Sequence, residues 1–213
     1  MNAVGRFITM EGIEGVGKTT QVTRLSAALD KLRIAHVVTR EPGGTPLAES
    51  IREVVLSARE ETLPPTAELL LMFAARAVHL ENHVEPNLQA GRWVICDRFT
   101  DATYAYQGGG RRLSIEKIAA LESMVQGALR PDFTVLLDAP VENALARARR
   151  RNAGAPEDRF ERERSEFFER VRKVYRERAA AEPGRIAIID ATRSVDEVGA
   201  HILEQLKVRS WIS

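Results

Sequence analysis

The sequence predicts an α/β fold, with five parallel strands in one sheet and helices packed against it. Three observations predict it. Short apolar, strand-prone runs alternate with longer segments of helical period, and parallel neighbours need such crossovers. A glycine-rich loop, Gly12-Ile13-Glu14-Gly15-Val16-Gly17, follows the first run directly. No internal repeat or linker divides the 213 residues, so 1–213 is read as a single domain.

Taken in order, the candidate strands are Arg6–Glu11, Ala35–Arg40, Trp93–Asp97, Phe133–Asp138 and Arg185–Asp190. Between the first two, Val22, Leu25, Leu29 and Leu32 recur at helical spacing. Thr45-Pro46 reads as an N-cap followed by proline at the first helical position. Ile118, Leu121, Val125 and Leu129 mark a further helix. The last helix opens on a capping box, Ser194 with Glu197, and continues through Val198, Ile202 and Leu206. In parallel sheets ligands bind beyond the carboxyl ends of the strands, so the residues just after each strand carry the search for a site. The segment 147–178 is crowded with charge. It contains Asn152-Ala153-Gly154-Ala155-Pro156, read as a mobile loop.

Composition excludes several classes. With 31 basic and 30 acidic side chains the net charge is +1, which gives no footprint for a nucleic-acid polymer or an anionic membrane. The apolar fraction of 44% is that of a globular chain, and no apolar run approaches the length of a membrane span. The one cysteine, Cys96, can form no intrachain disulfide. Without a secretory leader pattern, the expected location is the cytoplasm.

Gly12-Ile13-Glu14-Gly15-Val16-Gly17-Lys18-Thr19 matches the P-loop pattern of glycine, four residues and Gly-Lys-Thr. Glycines let the backbone curl so that successive N–H groups face phosphates, and the following helix adds its positive N-terminal end. Lys18 reaches the β- and γ-phosphates, and the Thr19 hydroxyl can ligate Mg²⁺, with Thr20 beside it. A plain connecting turn is the bland alternative, disfavoured by the strand before it and the helix after it. The expected fold is thus a P-loop NTPase-type three-layer sandwich. A guanine-nucleotide switch would carry Asn-Lys-x-Asp and Asp-x-x-Gly, and neither is present. Asp97 ends the third strand, where a carboxylate orders Mg²⁺ and its waters; a salt bridge with Arg98 is the alternative. Arg76 stands in an apolar helix and needs a partner. Phe73 shares its helix face and follows Leu69-Leu70-Leu71-Met72, so a core role is equally natural.

Beyond the P-loop the chain resembles bacterial thymidylate kinases from end to end. The resemblance rests on Phe-Ile-Thr-Met-Glu-Gly at 7–12, Thr-Arg-Glu-Pro-Gly-Gly-Thr at 39–45 and Leu-Met-Phe-Ala-Ala-Arg at 71–76. It continues in Asp-Arg-Phe at 97–99, Ala-Tyr-Gln-Gly-Gly-Gly-Arg at 105–111 and Asp-Arg-Phe-Glu at 158–161. It implies transfer of the ATP γ-phosphate to dTMP, giving dTDP and ADP, with Mg²⁺. It gives Phe73 and Arg76 to the thymine, Arg98 to the dTMP phosphate and Asp97 to the metal. Thr103, Tyr106 and Gln107 fall to the acceptor pocket, with Tyr106 against the sugar, and Glu14 to the 3′-hydroxyl. Pro42 precedes the pocket and is often cis in the family. Members often carry serine where this chain has Ala102, so a hydroxyl contact is lost here. A homodimer is also implied.

Transition-state charge on the transferring phosphoryl group calls for positioned cations. The variable P-loop positions hold no arginine. The run Arg147-Ala148-Arg149-Arg150-Arg151 and Arg159 therefore resemble the lid-borne arrangement, with the lid at about residues 147–160. Arg149, Arg151 and Arg159 are expected at the γ-phosphate, with Asp158 and Glu161 facing the acceptor or its metal. Interleaved acids leave a solvated helix face as the alternative for any single arginine. Two competing functions stand beside the first: a kinase of the same fold for another acceptor, and a P-loop switch without an acceptor.

Overall fold

The computed structural model describes residues 5–57, 60–151, 159–160 and 163–212. At its centre is β1 (Phe7–Glu11), buried along its whole length. A strand covered on both faces is expected to be continuously apolar rather than alternating, as Phe7, Ile8 and Met10 are. The others are β2 (His36–Arg40), β3 (Trp93–Asp97), β4 (Phe133–Asp138) and β5 (Ile186–Asp190). All pair in parallel in the order β2-β3-β1-β4-β5. Two strands have the predicted bounds, and the other three begin one residue later. Arg6 nevertheless gives its carbonyl to Val94 N at 2.7 Å, continuing the ladder.

Nine α-helices are seen among the described residues: α1 (Lys18–Lys31), α2 (Pro46–Leu56), α3 (Pro65–His79), α4 (Glu85–Gln89), α5 (Thr100–Thr103), α6 (Ile115–Gln126), α7 (Val141–Arg151), α8 (Ser165–Ala181) and α9 (Val195–Val208). π-helical turns at Leu80–Val84 and Tyr104–Gly110 continue α3 and α5. Thr45 caps α2 through its side chain, and the box of Ser194 and Glu197 forms at α9. Helix α6 stops at Gln126 before Gly127, so Leu129 packs from beyond the helix rather than on it. Among the described residues no helix is long and apolar enough to cross a membrane.

The charge-rich segment resolves physically at α8. Phe167, Phe168, Val171, Tyr175 and Ala179 line one buried face, and its arginines reach outward from that stripe. Arg178 Nε donates to Asp101 at 2.5 Å, and Arg185 Nη1 to the same carboxylate at 2.7 Å, tying α8 and the start of β5 to α5. The Asn152–Pro156 stretch, Asp158 and Glu161 lie outside the described residues.

The topology fixes where chemistry can occur. The chain leaves β1 for β2, returns to fill the gap with β3, then crosses β1 to reach β4. Such a reversal opens a crevice at the carboxyl ends of the central strands. The P-loop follows β1 and Asp97-Arg98 closes β3, so both arrive at one place.

Candidate active site

The donor side is made largely of backbone. Ile13 and Val16 turn their side chains into the core, leaving the loop's peptide groups to line the cleft. Gly17 caps α1 in the left-handed region without a side-chain hydrogen bond, so the helix's first N–H groups have no side-chain cap. Gly15 has φ +79°, and an added Cβ would stand 1.9 Å from the Ala144 carbonyl oxygen of α7. The loop is therefore seated directly on the helix that leads to the basic run. Lys18 Nζ folds over the loop, donating to the carbonyls of Gly12 (3.0 Å) and Ile13 (2.8 Å). Burial lowers its pKa to about 8, with Arg98 adding to that push against Asp97, Glu14 and Glu11.

Asp97 and Arg98 form the junction. Asp97 Oδ2 lies 3.5 Å from the Thr19 hydroxyl, and Asp97 Oδ1 is buried without a hydrogen-bond partner among the described residues. An orphaned carboxylate oxygen beside a hydroxyl, at the mouth of a phosphate cradle, is the donor set a hard divalent cation takes. Arg98 has φ +70°, uncommon for a non-glycine residue, and its guanidinium is held from several sides. Nη1 donates to Gly12 O at 2.9 Å, Nη2 lies 3.3 Å from Glu14 Oε2, and the group sits 4.9 Å from the Tyr106 ring centre. Glu14 also pairs with Arg151 at the end of α7. Burial pushes the Glu14 pKa up, but Lys18, Arg98 and Arg151 outweigh it and hold it at about 2.

The acceptor side is a pocket lined among others by Glu41, Pro42, Met72, Arg98, Tyr106 and Gln107. Phe160 covers it edge-on to Tyr106, with ring centres 5.6 Å apart. The Glu41-Pro42 peptide is cis. Behind this wall stands a buried ion network. Arg76, 1% exposed, donates from Nε to Glu41 Oε2 at 2.7 Å and from Nη2 to Thr103 at 2.9 Å. His79 Nδ1 meets the same carboxylate at 2.9 Å. Phe73 lies under the Arg76 guanidinium, 4.8 Å from it, in a core cluster with Leu69, Tyr104 and Ile118.

The sequence-predicted residues thus divide. Glu14, Gly15, Gly17, Lys18, Thr19, Thr20, Asp97, Arg98 and Arg151 meet in the phosphate cleft, whereas Gly12, Ile13 and Val16 are not among its lining residues. Pro42, Tyr106 and Gln107 line the cavity, as do Glu14 and Arg98. Phe73, Arg76 and Thr103 are not among its lining residues, and helix α3 presents Met72 there instead. Arg149 is exposed on α7. Arg159 pairs with Glu68 and donates to Val55 O at 3.1 Å, on the acceptor side rather than over the P-loop.

Sequence reasoning missed Glu11, Glu41, Glu68 and Met72. Glu11 is fully buried and accepts from Phe99 N and from the Tyr175 hydroxyl, each at 2.7 Å, which ties the turn after Arg98 to β1. Its pKa is raised to about 8, chiefly by burial and next by Asp101. A signal was available for Glu41 and Glu68, since a buried arginine requires a buried carboxylate; their burial itself was not readable.

A phosphate cradle beside a second pocket, with an arginine lining both, defines a P-loop kinase of a small acceptor. Comparison with known proteins narrows the class. The family model described as Thymidylate kinase matches residues 10–202. The chain is 57% identical to the thymidylate kinase of Chromohalobacter salexigens over 97% of its own length and 98% of the relative's. It is 53% identical to that of Alkalilimnicola ehrlichii over 98% and 96%. The crystal structure of thymidylate kinase from Ehrlichia chaffeensis superposes with a TM-score of 0.77 at 32% identity, covering 96% of this chain and 99% of that one. The chain belongs to the thymidylate kinase family.

Proposed function

We propose that the molecule phosphorylates dTMP by in-line transfer of the ATP γ-phosphate, releasing dTDP and ADP for dTTP synthesis. The carrying observation is the convergence of cradle and cavity on Arg98, which borders both. ATP phosphates lie along the loop N–H groups and Lys18. The dTMP phosphate takes Arg98, so its nucleophilic oxygen faces the γ-phosphorus across the Asp97–Arg98 junction. Catalysis is then positioning and charge neutralisation, without a covalent intermediate. Thr19 and Asp97 would hold Mg²⁺, which supplies neutralisation of phosphate charge when bound. Arg151, paired with Glu14, would exchange that carboxylate for the transferring phosphoryl group, and Arg149, two residues earlier on α7, keeps its assignment to the γ-phosphate. Arg159 is assigned to closing the acceptor cavity over the base.

Within the cavity Tyr106 packs against the sugar, Gln107 bonds the base, Met72 supplies the apolar surface beneath it and Glu14 meets the 3′-hydroxyl. Phe73, Arg76 and Thr103 support that wall from behind through Glu41. Asp158 and Glu161 keep their assignment to the acceptor or its metal from the family motif. A homodimer is supported by exposed Leu47 and Val54 on α2, Leu70 on α3 and Met124 on α6, which stand on neighbouring helices. Light scattering at twice the chain mass checks it, and a monomer mass contradicts it.

The function is tested by coupled ADP release with ATP and Mg²⁺, offering dTMP, dUMP, dCMP, dGMP, AMP and thymidine in turn. The expected result is release driven foremost by dTMP. A different preferred monophosphate would refute the acceptor assignment, and none at all would refute the kinase reading.

A further inference from the structure

Gln107 is fully buried at the border of the acceptor cavity, and its two terminal atoms have different fates. Nε2 donates to Glu68 Oε1 at 2.6 Å. Oε1 is buried with no hydrogen-bond partner among the described residues. Which end of a terminal amide points where is decided by the network around it. Here that network is one-sided. Glu68, on α3 and itself 0% exposed, also receives the guanidinium groups of Arg111, at 3.2 Å from Nε to Oε2, and of Arg159. A carboxylate under two guanidinium groups acts as an acceptor, so it can take only the NH₂ end of Gln107.

We infer that Glu68 is a specificity-positioning residue: it fixes the Gln107 amide so that the carbonyl oxygen, not the NH₂ group, meets the base of the acceptor. The inference rests on the dTMP reading and deepens it. A pyrimidine-2,4-dione carries a donor at N3–H and satisfies the orphaned Oε1. Cytosine presents a lone pair at N3, which would face an acceptor and leave both groups buried and unpaired. Sites built around such a hydrogen bond reject the mismatched analogue strongly. Glu68 touches neither substrate in this account; it acts through Gln107.

Two experiments test this. The first uses the unaltered protein and compares binding of dTMP with 3-deaza-dTMP, in which the N3–H donor becomes C–H and the 4-oxygen becomes a hydroxyl. The expected loss in Kd is about tenfold or more; equal affinities would overturn the inference. The second measures kcat/KM for dTMP and dCMP in Glu68→Met and Glu68→Gln. In Glu68→Met the amide is free to rotate, and the dTMP-to-dCMP ratio should fall about tenfold or more, with KM for ATP within about twofold of wild type. Glu68→Gln, which keeps one acceptor oxygen, should fall between. A merely structural role would lower both substrates together and leave the ratio unchanged, and that result would overturn the inference. Should Glu68→Met not fold, Glu68→Gln and the 3-deaza comparison decide. Failure of the wild-type protein to phosphorylate dTMP would instead refute the underlying function.

Discussion

The donor cleft and the acceptor cavity are built by opposite means. The cleft is built on one contiguous loop, Glu14–Thr20, completed by Asp97, Arg98 and Arg151, and its floor offers peptide groups whose direction is set by backbone angles. The cavity is gathered from the end of β2, from α2 and α3, from the turn after α5 and from α8, and its walls are held by buried ion pairs. Glu41 with Arg76 and His79, and Glu68 with Gln107, Arg111 and Arg159, are its two hubs. The difference teaches where each half is vulnerable. A backbone cradle is broken by volume or by loss of its one reaching cation, whereas a side-chain wall is broken by removing one partner of a buried pair.

The largest expected effect breaks the cradle. Lys18→Ala should lower kcat by at least about 10²–10³-fold with the fold intact by circular dichroism, as for loss of a donor aimed at developing charge; near wild-type kcat would remove Lys18 from the chemistry. Next, Arg76→Ala strikes the wall. It leaves Glu41 buried without its guanidinium, so denaturant unfolding should show a loss of about 3–5 kcal/mol. KM for dTMP should rise far more than KM for ATP, and an equal rise would dissolve the division between the two halves. Gly15→Ala sharpens the contrast from the donor side. Its methyl meets the Ala144 carbonyl at a left-handed backbone position, which should cost about 1–3 kcal/mol and raise KM for ATP but not for dTMP.

The smallest effect is one of pH. Glu14 has a folded pKa of about 2, below the ordinary glutamate value of 4.5. Its contribution to stability is therefore fully present above 4.5 and is lost as pH falls through 2. Glu14→Gln should be less stable than wild type at neutral pH, with the two curves converging as pH drops through that window. Parallel curves would mean that Arg98 and Arg151 do not hold the carboxylate.

How much was legible follows the same division. The P-loop could be read because its requirement is local: glycines at fixed offsets between a strand and a helix. Asp97 and Arg98 could be read because a strand's carboxyl end is a known address in a parallel sheet. The wall was harder. In the run Leu69-Leu70-Leu71-Met72-Phe73 every residue is apolar, so the phase of the helix cannot be taken from pattern, and the structure puts Met72 rather than Phe73 on the cavity. Glu68 sits in the first turn of α3, where an acid ordinarily faces solvent and favours the helix dipole. Its burial depends on Arg111, 43 residues away, and Arg159, 91 residues away, which no local pattern encodes. The family motifs supplied Tyr106 and Gln107, but not the carboxylate that orients one of them.

The claim that the halves are separable in function, although Glu14, Glu41, Arg52 and Arg98 border both, is tested most directly by titrating dTMP into Lys18→Ala in a calorimeter. The account predicts a Kd for dTMP within about threefold of wild type, although turnover is lost, because the cation removed belongs to the donor half. Loss of dTMP binding in a folded Lys18→Ala protein would contradict it, and would make cradle and cavity a single coupled site.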